Sequence, residues 1–384
     1  MPPVSAGRVR GNVRNYGAPF IPGHRVELLV DGGPYFSALM ERIFAARRSI
    51  YVETYILRND RTGRRVTEGL RQRAREGLDV ALIYDGFGSL GLDPELIAEL
   101  RSDGVELHEY RPLLTAEGRP WRARNHRKLS VFDGRIGLIG GMNISDEYAA
   151  SEDGGNDWRD TAVLVEGPAV LQLEDMFRAL WRAQAKRSLR SSRGAPPEAF
   201  ADGEAVRFVG TYSRRERAEV RHSYLRAILG AKKSIRITNA YFNPDRGIYR
   251  ALRRSAKHGV EVELILSGMT DVRFVMHVSR GLYAGLLRAG VKIYEWNQTV
   301  LHAKTAVIDG EWSTVGSANL NHRMVWHDLE VNAIVQGKQT AAALERQFEL
   351  DRARCREIRR EDWARRPVGA RAMQWGAGLF RRLI

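Results

Sequence analysis

Apolar and polar positions fall along the chain in short blocks with a regular rhythm. Residues 49–57, SIYVETYIL, are rich in β-branched and aromatic side chains and predict a strand. Residues 66–77, VTEGLRQRAREG, predict a helix closed by Gly77. DVALIYDG (79–86) predicts a short apolar strand, and PELIAELRSDG (94–104) a helix ending at Gly104. Leu171, Leu173, Phe177, Leu180 and Trp181 fall roughly on one helical face, and Ala343, Leu344 and Phe348 match them further on. This alternation predicts an α/β fold, a sheet covered by helices on its faces.

The rhythm occurs twice. ARRSIYVETYIL (46–57) matches AKKSIRITNAYF (231–242), and RAREGLDVALIYDG (73–86) matches SAKHGVEVELILSG (255–268). GVELHEYRP (104–112) matches GVKIYEWNQ (290–298), and HRKLSVFDG (126–134) matches HAKTAVIDG (302–310). The offsets are 185, 182, 186 and 176, nearly constant, as in a duplicated domain with small insertions. Between the copies, RSLRSSRGAPPEAFADGE (187–204) reads as a linker. The expected organisation is a basic arm (1–22), a first domain (23–186), the linker (187–204), a second domain (205–355) and a basic tail (356–384).

Composition narrows the partners. The 384 residues carry 61 Lys and Arg against 46 Asp and Glu, a formal charge of +15. That excess favours a polyanion: nucleic acid, anionic lipid or a phosphorylated substrate. A single cysteine, Cys355, excludes an internal disulfide and a multi-cysteine zinc site. No uncharged run approaches the ~20 residues needed to span a bilayer, and the N-terminus lacks the apolar core of a signal peptide. The protein is expected in the cytoplasm, on a membrane surface if its substrate lies there.

The chemistry lies in the pattern H-x-K-x4-D-x6-G-x-x-N. The first copy holds His126, Lys128, Asp133, Gly140 and Asn143, and the second His302, Lys304, Asp309, Gly316 and Asn319. Five fixed residue types recur by chance about once in a million positions. The run from His to Asp predicts a strand, with His and Lys two apart on one face. A Lys beside a His makes an anion site: the ammonium is a point charge for phosphate, and the imidazole attacks or exchanges a proton near neutrality. Asp133 and Asp309 have the opposite parity and precede a Gly, so they suit tying down a turn. Downstream, DWRDTAVLV aligns with HDLEVNAIV, setting Asp160 opposite Glu330. Each follows its copy's histidine, by 34 and 28 residues, as a candidate acceptor that fixes the imidazole tautomer.

The doubled motif, with G-G-x-N and G-S-x-N, resembles the phospholipase D superfamily. NHRKLSVFDGRIGLIGGMNISDEY, NAYFNPD and LHAKTAVIDGEWSTVGSANL resemble the bacterial cardiolipin synthases, in particular the shorter kind without N-terminal membrane helices, over roughly residues 25–355. The resemblance implies two phospholipase D-like α/β domains, each a mixed sheet flanked by helices. They would be related by a pseudo-two-fold axis and share one active site. It implies a catalytic set of His126, Lys128, Asp133, His302, Lys304 and Asp309. His126 would be the nucleophile and His302 the acid/base. Lys128, Lys304, Asn143 and Asn319 would bind phosphoryl oxygens, with no metal and no cofactor. The expected activity is transfer of a phosphatidyl group from phosphatidylglycerol to a second lipid alcohol, through a phosphohistidine. Its partner would be anionic phospholipid at the inner face of the cell membrane. A hydrolase of phospholipids, or a metal-independent nuclease, is the alternative, and only the nuclease takes nucleic acid. After GSANL an aspartate is expected where Asn321 stands, followed by His322 and Arg323.

Weaker features complete the reading. Arg119, Arg122, Arg124 and Arg127 crowd the first motif and are expected to gather anionic head groups. Glu152, Asp153, Asp157 and Asp160 lack calcium-loop spacing and predict a polar loop. The tail mixes Met373, Trp375, Leu379, Phe380, Leu383 and Ile384 with Arg371, Arg381 and Arg382, which suits an interfacial helix, a frayed tail or a helix packed on its own domain.

Overall fold

The computed structural model describes residues 19–113, 123–186, 188–189, 196–210, 218–367, 369, 373–374 and 376. The first half runs β1 (Ile21–Val30), α1 (Gly32–Ala45), β2 (Ser49–Thr54), α2 (Arg61–Arg75), β3 (Asp79–Asp85), α3 (Pro94–Ser102), β4 (Glu106–Tyr110), β5 (Leu129–Phe132), β6 (Ile136–Gly140), β7 (Thr161–Glu166) and α4 (Val170–Ala185). The second repeats it with β8 (Glu204–Gly210), α5 (Glu219–Gly230), β9 (Ser234–Asn239), α6 (Arg246–Lys257), β10 (Glu261–Ser267), α7 (Arg273–Leu287), β11 (Lys292–Trp296), β12 (Lys304–Ile308) and β13 (Trp312–Gly316). It ends with α8 (His322–Trp326), β14 (Val331–Gln336), α9 (Lys338–Ala353), β15 (Arg356–Glu357) and α10 (Arg360–Ala364).

The strand order is β15-β11-β10-β9-β12-β13-β14-β8-β1-β7-β6-β5-β2-β3-β4. Apart from β15 at one edge, it reads the same from both ends about the β8–β1 seam. In each half three strands run parallel (β2-β3-β4 and β9-β10-β11), and the rest are antiparallel. The seam pairs Ile21 with Val206 and His24 with Glu204, making one continuous mixed sheet. β1 and β8 therefore begin inside the segments expected as arm and linker. The rest of the arm and much of the linker lie outside the described residues.

The central strands read as nearly unbroken apolar runs because both faces are buried. Ile50, Val52, Val80 and Leu82 point into a core beneath α1, α2 and α3. The intervening Tyr51, Ala81 and Ile83 point the other way. There they join Phe177 and Trp181 of α4, and Val307, Val315, Val331 and Leu344 of the second half, in a core that both halves share. A third core mirrors the first in the second half. The predicted helices end as expected: Gly77 and Gly104 follow α2 and α3 with φ of 93° and 91°, which favours glycine. In α4, Leu173, Phe177, Leu180 and Trp181 are buried, whereas Leu171 is only half-buried.

Candidate functional site

Two extended segments, residues 124–128 and 300–303, cross between the halves ahead of β5 and β12. Here the expected strand is shorter than predicted: β5 starts at Leu129 and β12 at Lys304, so both histidines precede their strands. Their backbones pair with the opposite half instead. His126 N donates to Leu329 O at 2.9 Å and Leu329 N to Arg124 O at 2.9 Å. His302 N donates to Arg159 O at 2.8 Å and Arg159 N to Val300 O at 2.9 Å. The same bridge is built twice, as a two-fold axis requires.

These bridges set the carboxylates in exchanged positions. Glu330 follows Leu329, and its carboxylate oxygens lie 3.0 and 3.1 Å from His126 Nδ1. Asp160 follows Arg159, and its Oδ2 lies 2.7 Å from His302 Nδ1. The sequence reading paired each histidine with the carboxylate of its own copy. The structure corrects that: each imidazole is held by the other half. Holding Nδ1 turns Nε2 toward the space between the halves.

The lengths of the two carboxylates explain a difference between the motifs. Asp160 lies so close to the chain that a Cβ at Gly141 would meet both its oxygens at 2.5 Å. The longer Glu330 leaves room for Ser317, whose Oγ donates to it at 2.5 Å. G-G-x-N therefore goes with aspartate, and G-S-x-N with glutamate.

Both lysines are buried behind the histidines. Lys128 Nζ donates to His126 O at 2.8 Å, and Lys304 Nζ donates to His302 O and stands 2.9 Å from His302 Nδ1. Burial drives Lys128 down to about 7, with the Lys304 charge adding to the effect, and burial drives Lys304 down to about 8. Both imidazoles are pushed well below their usual value by burial and then by the two ammonium groups. Burial pushes Asp160 up to about 6 and Glu330 well above the carboxylate range. An anion entering this place meets cations in a low-dielectric setting, where each charge counts for more than in water.

The asparagines are set by equivalent bonds. Asn143 Oδ1 accepts from Ile56 N at 3.0 Å, and Asn319 Oδ1 from Tyr241 N at 3.3 Å. Asn143 Nδ2 donates to the Tyr148 hydroxyl at 2.7 Å. Both amides line a cavity of about 340 Å³ with His126, His302 and Glu330.

Asp133 and Asp309 stand apart from this cluster. They follow β5 and β12 at the ends away from the histidines, seven residues on, roughly 23 Å of extended chain. Asp133 accepts from the backbone N–H groups of Arg47, Arg48 and Ser49 at 2.7–2.9 Å. Asp309 accepts from Lys232, Lys233 and Ser234 at 2.7–3.0 Å. Each has φ near +55° and a following Gly with positive φ, the geometry of a tight hairpin turn. Their place in the catalytic set is thus corrected to a structural one. Asp133→Ala removes three hydrogen bonds to one carboxylate and leaves their donors to water. It is expected to lower stability by about 1–3 kcal/mol, seen as a lower melting temperature, while turnover per folded molecule stays near that of the parent.

Two other expectations change. Arg127 is fully buried on Glu53 (2.7 and 2.8 Å), and Arg124 is buried on Asp85 (2.8 Å). Arg127 is therefore not disposed to gather head groups, whereas Arg124 lines the catalytic cavity while paired with Asp85; Arg119 and Arg122 lie outside the described residues. Asn321 caps α8 by accepting from Met324 N at 2.9 Å, which an aspartate does equally well. Its departure from the expected residue leaves the local fold intact. Glu152, Asp153 and Asp157 lie in a polar turn, as expected, with Asp157 accepting from Ser151 N at 2.8 Å, whereas Asp160 is buried on His302 instead. Met373 of the tail is exposed, and Trp375, Leu379, Phe380, Leu383, Ile384, Arg371, Arg381 and Arg382 lie outside the described residues.

Sequence reasoning missed the aromatic walls. Tyr55 packs edge-on to His126, and Tyr148, Trp158 and Tyr241 surround His302. They come from segments outside the motif, and Trp158, beside Asp160, was the nearest signal. Asp328 was missed too: it accepts from Arg124 N and pairs with Arg323 at 2.8 Å, tying the halves together at the cavity wall.

A family model described as cardiolipin synthase, PLD-like domain, matches twice, at residues 39–181 and 224–352. The chain belongs to the cardiolipin synthase family of phospholipase D-like proteins. The two matches fall on the two halves that meet at the histidines. A cardiolipin synthase of Geobacillus sp. (strain WCH70) is 33% identical over 360 residues, 93% of this chain and 72% of that one. One from Staphylococcus aureus (strain N315) is 33% identical over 346 residues, 89% of this chain and 70% of that one. Among solved structures, the phosphatidylserine synthase of Haemophilus influenzae Rd KW20 superposes with a TM-score of 0.70 at 16% identity, over 95% of this chain and 97% of its own. The polyphosphate kinase of Porphyromonas gingivalis gives 0.56 at 14%, over 85% and 50%. At such identities these likenesses show a shared fold. Membership of the cardiolipin synthase family makes the protein an enzyme of the phosphatidyltransferase type. No helix among the described residues is long and apolar enough to cross a membrane.

Proposed function

We propose that the protein makes cardiolipin by moving a phosphatidyl group from one phosphatidylglycerol to another. One observation carries the reading: two histidines, each held at Nδ1 by the other half's carboxylate, face a single cavity in a chain of this family. In the first step His126 Nε2 attacks phosphorus, a P–N bond forms, and the P–O bond to glycerol breaks. His302, which takes a proton from solvent as the anionic phosphodiester enters beside it, gives that Nε2 proton to the leaving alkoxide, releasing glycerol and leaving a neutral ring. In the second step the acceptor's hydroxyl loses its proton to His302 and its oxygen attacks phosphorus. His126 is released and cardiolipin forms. Splitting one displacement into two is the logic of covalent catalysis. Assigning attack to His126 is supported by its greater exposure, 14% against 5% for His302. Lys128, Lys304, Asn143 and Asn319 steady the phosphoryl oxygens as their charge grows. Apolar lining by Phe87, Val272 and Val275 suits a glycerolipid better than a nucleic acid strand. On this reading the working enzyme acts at the surface of an anionic membrane.

Vesicles of phosphatidylglycerol incubated with the protein in EDTA are expected to yield cardiolipin and free glycerol in equal amounts. Phosphatidic acid in place of cardiolipin would make it a hydrolase, and neither product from folded protein would end the proposal. The pH dependence follows from the buried groups. Below about 6, Asp160 takes up a proton and loosens its hold on His302. Above about 7 to 8, Lys128 and then Lys304 lose their charge. kcat/KM for the free enzyme is therefore expected to peak in a narrow range near neutrality. A profile still rising at pH 9 would mean that the lysine charges are not needed.

A further inference from the structure

The two halves differ least where catalysis needs them alike, and one further likeness lies outside the motif. The segments after β3 and β10 occupy equivalent places, offset by 182 residues. Both carry large apolar side chains that stand in solvent: Phe87 and Leu90 on one, Met269, Val272 and Phe274 on the other. Phe87 matches Met269 in the repeat, and Leu90 matches Val272. Nine large apolar side chains are exposed among the described residues, and these two short segments hold five of them. Scattered exposed apolar residues need no explanation, but a concentration at matched positions does.

The display is built, not loose. The Asp85 carboxylate accepts from the backbone N–H groups of Phe87 and Gly88 at 2.9 and 3.1 Å. Arg58 Nη1 donates to Leu90 O at 2.9 Å, and Leu92 N to Ser89 O at 3.0 Å. Across the mouth, the Tyr241 hydroxyl donates to Asp271, and Val272 N to Thr270 Oγ1 at 3.2 Å. Leu90 is thus held with 61% of its surface in water, and Met269 with 46%. Phe87 and Val272 also line the catalytic cavity, so the two segments are its opposite lips.

We propose that these lips form a paired apolar rim that enters the acyl-chain region of an anionic bilayer and seats the cavity mouth over lipid. The inference rests on the transferase reading for its occupant. The rim is continuous with a cavity whose substrate would lie in the bilayer, and the formal charge of +15 draws the chain toward anionic head groups. Exposed apolar side chains on a chain of net positive charge are a combination that interfacial binding uses.

Sedimentation with vesicles of phosphatidylglycerol and phosphatidylcholine in equal parts tests the rim. The double variant Leu90→Ser/Met269→Ser is expected to bind at least about ten-fold more weakly. The control Leu229→Ser/Leu350→Ser, which removes exposed apolar residues elsewhere, is expected to bind like the parent. Turnover of a water-soluble aryl phosphodiester should be the same for the rim variant and the parent. A second reading uses the lone cysteine. In a Cys355→Ser background, a polarity-sensitive dye on Leu90→Cys or Met269→Cys should shift to the blue on vesicles, and one on Leu229→Cys should not. Unchanged sedimentation with no shift would overturn the rim. So would a parent dimer that the double variant converts to monomer without loss of vesicle binding, since the lips would then be a contact between copies. A parent that binds vesicles through the rim yet forms no cardiolipin would uphold the rim and reject the transferase reading.

Discussion

His126→Ala is expected to lower turnover of phosphatidylglycerol by about 10⁴-fold or more, the usual scale for losing a covalent nucleophile. His302→Ala is expected to lose a similar factor for a different reason. It removes the proton donor for departing glycerol and the base for the incoming alcohol. The P–N bond of a phosphohistidine is labile in acid, so the readout is an alkaline quench with lipid labelled at phosphorus, since base strips the acyl chains. His126→Ala should carry no label. His302→Ala should acquire label slowly and retain it, because the acceptor is no longer deprotonated. Label on His126→Ala and none on His302→Ala would exchange the two roles while leaving the chemistry in place.

The second large effect separates the crossed pairing from the pairing within each copy. Asp160→Asn is expected to slow turnover by about 10²–10⁴-fold, since an amide no longer selects the tautomer or steadies the charge of its histidine. Because Asp160 holds His302, its variant should behave as His302→Ala does and retain label. Because Glu330 holds His126, Glu330→Gln should impair the attack itself and leave the enzyme unlabelled. A carboxylate serving the histidine of its own copy predicts the reverse pattern.

Much of this site is legible in the sequence. The duplication, both histidines and both asparagines follow from motif spacing, and both carboxylates from aligning the two copies; the role of the asparagines comes from the family resemblance. The hairpin role of Asp133 was also visible in its parity and the Gly after it. Motif membership nevertheless pulled it into the catalytic set, because a motif records which residues recur and not why. The exchange of Asp160 and Glu330 was hidden for a related reason. Distance along the chain says nothing about which half a segment leans on, and residues 124–128 and 300–303 complete their backbone hydrogen bonds across the axis. The strand after each histidine was overextended because apolar alternation does not distinguish pairing within a sheet from a bridge between halves. Arg124 and Arg127 read as surface charge since nothing nearby in sequence announces Asp85 or Glu53. Only the fold brings a buried acceptor to each.

The crossed carboxylates make activity a gauge of how closely the halves fit. Neither half owns a finished histidine, so an outward slip of one ångström along the axis would unseat both imidazoles together. Gentle heating or low denaturant should extinguish catalysis while helices and strands persist in each half. A split chain should recover function only when its pieces re-dock. Inactivation of this enzyme is then expected to begin where the halves meet, ahead of the collapse of the core they share.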